Sequence, residues 1–116
     1  MTDAAGGAAR GAAAGGSHPR HALDPLLNAP VRLSVVAALA PLGKAEFGFV
    51  RDLVEVTDSV LSKQVAALEE AGYVVVHKGR VGRRPRTWLQ LAPEGLAAYR
   101  HHLAALRAIA GDWASG

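Results

Sequence analysis

The stretch over residues 57–86, TDSVLSKQVAALEEAGYVVVHKGRVGRRPR, leaves this chain the fewest choices. Leu61, Val65 and Leu68 recur at spacings of four and three, the one-sided stripe of an amphipathic helix. Thr57 stands where a helix cap is needed, and Asp58 suits the positive N-terminal end that follows. Gly72 supplies the left-handed residue that ends a helix. Tyr73-Val74-Val75-Val76-His77 then has the composition of a strand. Gly79 and Gly82 bracket a turn, and Pro85 argues against a regular central strand at that point. Thr87-Trp88-Leu89-Gln90-Leu91 alternates and pairs back as a second strand. The expectation is a helix over 58–71, then a hairpin whose tip carries arginines.

The charge map separates those two pieces. Residues 44–71 hold Lys44, Arg51 and Lys63 against six acids, a balance of −3. Residues 72–91 hold Lys78, Arg80, Arg83, Arg84 and Arg86 against none, a balance of +5. Such a local block of cations is a place for a polyanion, and the bland alternative is a solvated loop. On the helix, Asp58, Ser59, Ser62, Lys63 and Ala66 fall opposite the apolar stripe. Short polar side chains and one cation let a helix approach base edges and phosphates, and the same face equally suits an ordinary surface helix.

The rest of the chain reads as support. Residues 1–22 are mostly alanine and glycine, with no large apolar side chain after Met1, and are expected to be a disordered tail. Residues 23–110 form the folded domain in this reading, and residues 111–116 a frayed end. Asn28 is the expected cap of a first helix, Pro30 falls in its first turn, and Pro41 and Gly43 stop it. Leu23, Leu26 and Leu27 either cover the core or form half of a dimer contact, and the dimer is the assignment adopted. Residues 45–48 suit a short edge strand. A second helix follows at about 49–55, with Phe49, Leu53 and Val56 as its buried side and Val50 and Val54 flanking. Residues 54–57 make a turn of helix-turn-helix length. Pro93 opens a last helix to about Ile109. Its stripe of Leu96, Tyr99, Leu103, Leu106 and Ile109 is long for one small core. The fold class is mainly α with a small β-hairpin, in the order α-(β)-α-α-β-β-α.

With these elements in place, the runs FVRDLVEVTDSVLSKQVAALEEAGYVVVHKG and GRRPRTWLQLAPEG resemble the winged helix-turn-helix regulators of the MarR/ArsR-like group. The resemblance covers about residues 23–109. One departure is Ala92, where such proteins commonly carry a threonine cap. The resemblance implies a homodimeric transcriptional repressor. Helix 58–71 would read the major groove through Asp58, Ser59, Ser62, Lys63 and Gln64. The wing over 78–86 would use Lys78, Arg80, Arg83, Arg84 and Arg86 on the backbone or minor groove. Leu23, Leu26, Leu27, Leu103, Leu106 and Ile109 would form the dimer interface. The implied partners are double-stranded DNA, a second copy, and an unidentified small-molecule effector held between the dimer helices and the reading unit.

Other classes have less to stand on. The chain has no cysteine, which excludes disulfides and thiolate metal sites and fits a reducing cytosol. No apolar run approaches the ~18–20 residues of a membrane span. Neither membrane nor signal peptide is therefore expected, and the location implied is cytoplasmic, with the nucleoid. Of His18, His21, His77, His101 and His102, three fall in or near predicted mobile or exposed positions, and adjacent His101 and His102 point to different sides of a helix and make no chelating pair, so no metal and no cofactor is expected. No nucleophile–base set points to an enzyme. The rival that remains is a winged-helix module that binds protein without DNA. The RRPR run is hard to place in it, because a buried interface disfavours unpaired like charges.

Overall fold

Caps and stops set the boundaries of each element. The computed structural model describes residues 17–111. After a 3-10 turn at Pro19–Ala22 come α1 (Pro30–Leu42), β1 (Lys44–Glu46), α2 (Phe47–Val54), α3 (Asp58–Glu70), β2 (Val74–Val81), β3 (Arg84–Leu91) and α4 (Pro93–Ile109). The expected class and order are observed. Two compact units divide these residues. One is residues 25–99; the other joins the residues up to 24 with those from 100 onward.

In the unit over 25–99, α1 opens on Pro30 at its first position. A proline there pushes the residue before it into extended backbone. The cap is therefore Ala29, with no side-chain hydrogen bond, and not Asn28. Pro41 lies within the last turn, and Gly43 ends the helix at φ 75°. Glu55 ends α2 in the left-handed region, at φ 59°. Glu55, Val56 and Thr57 then make the turn into α3. Thr57 Oγ1 accepts from the Val60 N–H at 3.3 Å. At the other end of α3 the Tyr73 N–H reaches the Leu68 carbonyl and the Gly72 N–H the Glu69 carbonyl, with Gly72 at φ 81°. That pair of bonds is a Schellman cap.

The sheet is antiparallel in the order β1-β3-β2. The β2–β3 register pairs Val74 with Leu91 and Val81 with Arg84, so Gly82 and Arg83 alone form the turn. Gly82 takes the positive φ at the first of those positions, as in a type II′ hairpin turn. The expected turn bracketed by Gly79 and Gly82 is thus shorter, and strand passes through both Gly79 and Pro85. Proline is tolerated there because β1 pairs only with residues 88–90, which leaves one edge of β3 open at Pro85.

The core lies between the sheet and helices α1 to α3. Leu27, Val35, Val36, Leu39, Val50, Leu61, Val65, Leu68, Val74 and Leu89 are all buried. Two expectations are corrected. Leu27 has no exposed surface, so it fills this core and not a dimer contact; Leu26 packs against the same core. On α2 the inward residues are Val50, Phe47 and Val54, whereas Phe49 and Leu53 are 52% and 55% exposed. The helix begins two residues earlier than expected, at Phe47, and the stripe of Phe47, Val50 and Val54 packs on the core while Phe49 and Leu53 face solvent.

α4 closes the sheet end through Gly95. A Cβ at Gly95 would overlap the Tyr73 carbonyl oxygen, and the Ala92 N–H donates to that same oxygen at 2.9 Å.

In the second unit, His18 Nδ1 accepts from the Arg20 N–H at the Pro19–Ala22 turn. The buried His102 accepts from the Asp24 N–H through Nδ1 at 3.0 Å. Its Nε2 has no hydrogen-bond partner among the described residues. Residues 1–16 of the expected tail and residues 112–116 lie outside the described residues. Residues 19–22, also assigned to the tail, form the turn just described.

The backbone approach at Gly95 gives the first prediction. Gly95→Ala should destabilise the protein by roughly 2 kcal/mol or more, as overpacking against a rigid carbonyl does. Urea denaturation measures this, and an unchanged midpoint would mean that α4 can shift freely at this point.

Candidate nucleic-acid interface

Burial of Leu61, Val65 and Leu68 fixes which side of α3 meets solvent. Ser59, Ser62 and Lys63 are exposed on the other side, within the first two turns. Two of the residues expected beside them are engaged elsewhere. Asp58 is exposed, but its Oδ1 accepts from Arg51 Nη1 at 2.8 Å. Gln64 is half-buried, and its Oε1 accepts from Arg32 Nη1 at 2.8 Å. Arg32 also donates through Nε to the Leu26 carbonyl at 2.6 Å. Gln64 therefore joins α3 to α1 and to the segment before it, one helix edge away from the solvent face.

Arg51 is the second such brace. Its Nε donates to Asp52 Oδ1, also at 2.8 Å. The hydrogen bond to Asp52 and then the one to Asp58 raise the guanidinium pKa further above its ordinary value. Asp52 is held below the usual carboxylate range, chiefly by the hydrogen bond from Arg51. This interaction supports the fold above the ordinary carboxylate pKa and is lost as pH falls through the depressed one.

The hairpin does not present its five cations as one block. Side chains alternate across a strand. Lys78 and Arg80 share the parity of Val74 and Val76, the side that faces α3. Arg84 and Arg86 share the parity of Trp88 and Gln90, the opposite side. Contacts agree with this division. Arg86 Nε lies 3.4 Å from Glu46 Oε2 on β1, and Lys44 Nζ stands 5.9 Å from the centre of the Trp88 ring. His77 Nε2 and Gln90 Oε1 are 2.6 Å apart on that face too. Arg83 occupies the turn, and its carbonyl accepts from Arg80 Nη1 at 3.1 Å.

Between α3 and the inner face of the hairpin lies a groove of about 680 Å³, lined by Phe47, Asp58, Ser62, Val65, Ala66, Glu69, Val76, Lys78, Thr87 and Leu89. An exposed polar helix, a basic hairpin and a groove between them belong to one surface of the unit over 25–99.

The family model for a winged helix DNA-binding domain matches residues 31–110. The chain belongs to that family. The chain is 27% identical over 78 residues to the uncharacterized protein MJ0432 of Methanocaldococcus jannaschii, covering 67% of this chain and 85% of that protein. The transcriptional regulator homologue protein from Pyrococcus horikoshii OT3 has a similar structure. Its TM-score is 0.70 at 28% identity, over 76% of this chain and 87% of that one. The Mycobacterium tuberculosis regulator MosR, solved in complex with DNA, shares the fold at a TM-score of 0.63 and 17% identity, over 84% and 70% of the two chains. A MarR-family regulator is also among the structures of this fold. The chain is thus a winged helix DNA-binding domain, with the fold of a transcriptional regulator homologue.

Of the residues expected at a dimer contact, Leu23, Leu103 and Leu106 are half-buried and Ile109 is 40% exposed. Among the described residues no helix is long and apolar enough to cross a membrane. The roles of Arg32 and Arg51 were not visible in the sequence, because each depends on a neighbour 32 or seven residues away.

Arg32 gives the second prediction. Arg32→Ala leaves the Leu26 carbonyl and the Gln64 amide without their charged donor, and should cost about 1–3 kcal/mol. Arg32→Lys should recover only part, since an ammonium cannot reproduce the two-pronged geometry. Denaturation midpoints decide it, and equal midpoints for all three proteins would remove the bridge from the account.

Proposed function

We propose that this protein is a homodimeric transcriptional repressor. α3 lies in the major groove of a pseudo-palindromic operator, and the wing over 78–86 rests on the backbone or minor groove. The observation that carries this reading is the joint exposure of Ser59, Ser62 and Lys63 beside a cationic hairpin, in a chain of a DNA-binding family. Ser59, Ser62 and Lys63 contact bases and nearby phosphates. Lys78 and Arg80 reach phosphates from the groove side, while Arg83 and Arg84 do so from the tip. Arg86 contributes less, because Glu46 already faces it. Asp58 and Gln64 orient α3 and do not read bases.

Leu23, Leu103, Leu106 and Ile109 join two copies. A two-fold dimer sets the half-sites about one helical turn apart. A small-molecule effector would act by changing the spacing of the two α3 helices. Repression follows from occupancy of the promoter.

The exposed pair Phe49 and Leu53 favours a second reading, a module that binds protein without DNA. Salt separates the two readings. DNA affinity should fall roughly tenfold or more between low and moderate salt, whereas an apolar contact should not respond in that way.

Two predictions test the assignment. Arg83→Ala with Arg84→Ala should weaken binding to every duplex and flatten the salt slope by roughly two phosphate contacts. Unchanged affinity would exclude the wing. Separately, Ser62→Ala or Lys63→Ala should change which genomic fragments are selected, at a typical cost of about 1–3 kcal/mol for a lost base contact. An unaltered selection profile would exclude α3 as the reader.

A further inference from the structure

We propose that Arg51 is a phosphate-binding residue of the DNA interface, held in a neutralised state by Asp52 and Asp58 until duplex DNA displaces them. The inference rests on the DNA-reading assignment above. Its ligand is the backbone phosphate of duplex DNA.

Position comes first. Arg51 Nη1 donates at 2.8 Å to Asp58, the first residue of α3, and Ser59 and Ser62 lie within the next turn. The guanidinium therefore sits at the end of the helix that enters the groove. Two of its five N–H groups are used by the two carboxylates, which leaves three donors for an incoming anion.

Exchange is cheap at this site. The side chains of Arg51, Asp52 and Asp58 are 35%, 72% and 71% exposed. Exposed ion pairs contribute little, so nothing locks this one against a competing partner. A phosphate diester offers the guanidinium a bidentate contact, whereas each carboxylate here accepts a single N–H.

The charge count gives the consequence. One cation and two anions leave −1 where a phosphate must approach. The two carboxylates thus reduce the attraction that Arg51 alone would exert on any DNA. Non-specific affinity is lowered, while contacts made by Ser59, Ser62 and Lys63 are untouched. Asp52 and Asp58 act here as restraints on Arg51 and not as DNA contacts.

The test uses the full chain, a random-sequence duplex, and titrations between roughly 50 and 200 mM salt. Asp52→Asn should tighten binding on the order of threefold at the lower salt and steepen the salt slope by about one phosphate contact. Arg51→Ala should weaken binding. Asp52→Asn in the Arg51→Ala background should gain no more than Glu94→Gln, a control that removes an exposed acid on α4. Thermal melting confirms that each variant is folded, and Asp58→Asn provides a second route to the same release. A gain for Asp52→Asn equal to that of Glu94→Gln, or a full gain without Arg51, would overturn the proposal and leave Arg51 as a brace between α2 and α3. Failure of the unmodified chain to bind any duplex would overturn the DNA-reading assignment and this site with it. Binding by the unmodified chain without the Asp52 effect would overturn this site alone.

Discussion

Burial of one stripe of α3 governs the rest of this molecule. Leu61, Val65 and Leu68 are driven from water against the core. Each such side chain contributes roughly 1.5–3 kcal/mol when fully buried. Their inward position fixes the helix about its own axis. Ser59, Ser62 and Lys63 face outward because of it, and the caps at Thr57 and Gly72 fix where the helix begins and stops. The apolar effect sets the face, and local hydrogen bonds set the ends.

Around that helix the braces are polar. Arg32 ties α3 to α1 through Gln64, and Arg51 ties α2 to α3 through Asp58. Neither brace is deeply buried, so both trade strength for geometry. Each joins α3 to a neighbouring helix at one defined point. On the proposed reading, selectivity rests on the short polar side chains of α3 and general affinity on the hairpin.

Much of this was legible in the sequence. Thr57, Gly72, Pro93 and the Leu61–Val65–Leu68 spacing give local signals, and the elements form where those signals lie. The inner side of α2 was not legible, because Phe47 and Phe49 each begin a plausible apolar stripe and only packing against the rest of the core decides between them. Leu27 was ambiguous for a related reason: an apolar residue before a helix reads the same whether it faces a core or a partner. Gln64 looked available because its position is polar, and only the arrival of Arg32 from α1 removes it from the surface. The arginine block of the wing was legible as composition but not as a surface. Strand alternation divides it between two faces once the turn is shortened to Gly82 and Arg83.

The short reach of β1 has a mechanical consequence. Because β1 pairs only with residues 88–90, the sheet has three strands at its base and two beyond. Four residues of β3, Arg84 to Thr87, extend past the third strand, a projection of about 13 Å at the usual rise per residue. A two-stranded ribbon twists more readily than a wider sheet. The hairpin is thus a compliant arm on a stiff base, and its charge is carried at the free end, where a small rotation at the root gives the largest displacement. On the proposed reading, such an arm follows the varying width of a DNA groove while the base keeps α3 in place.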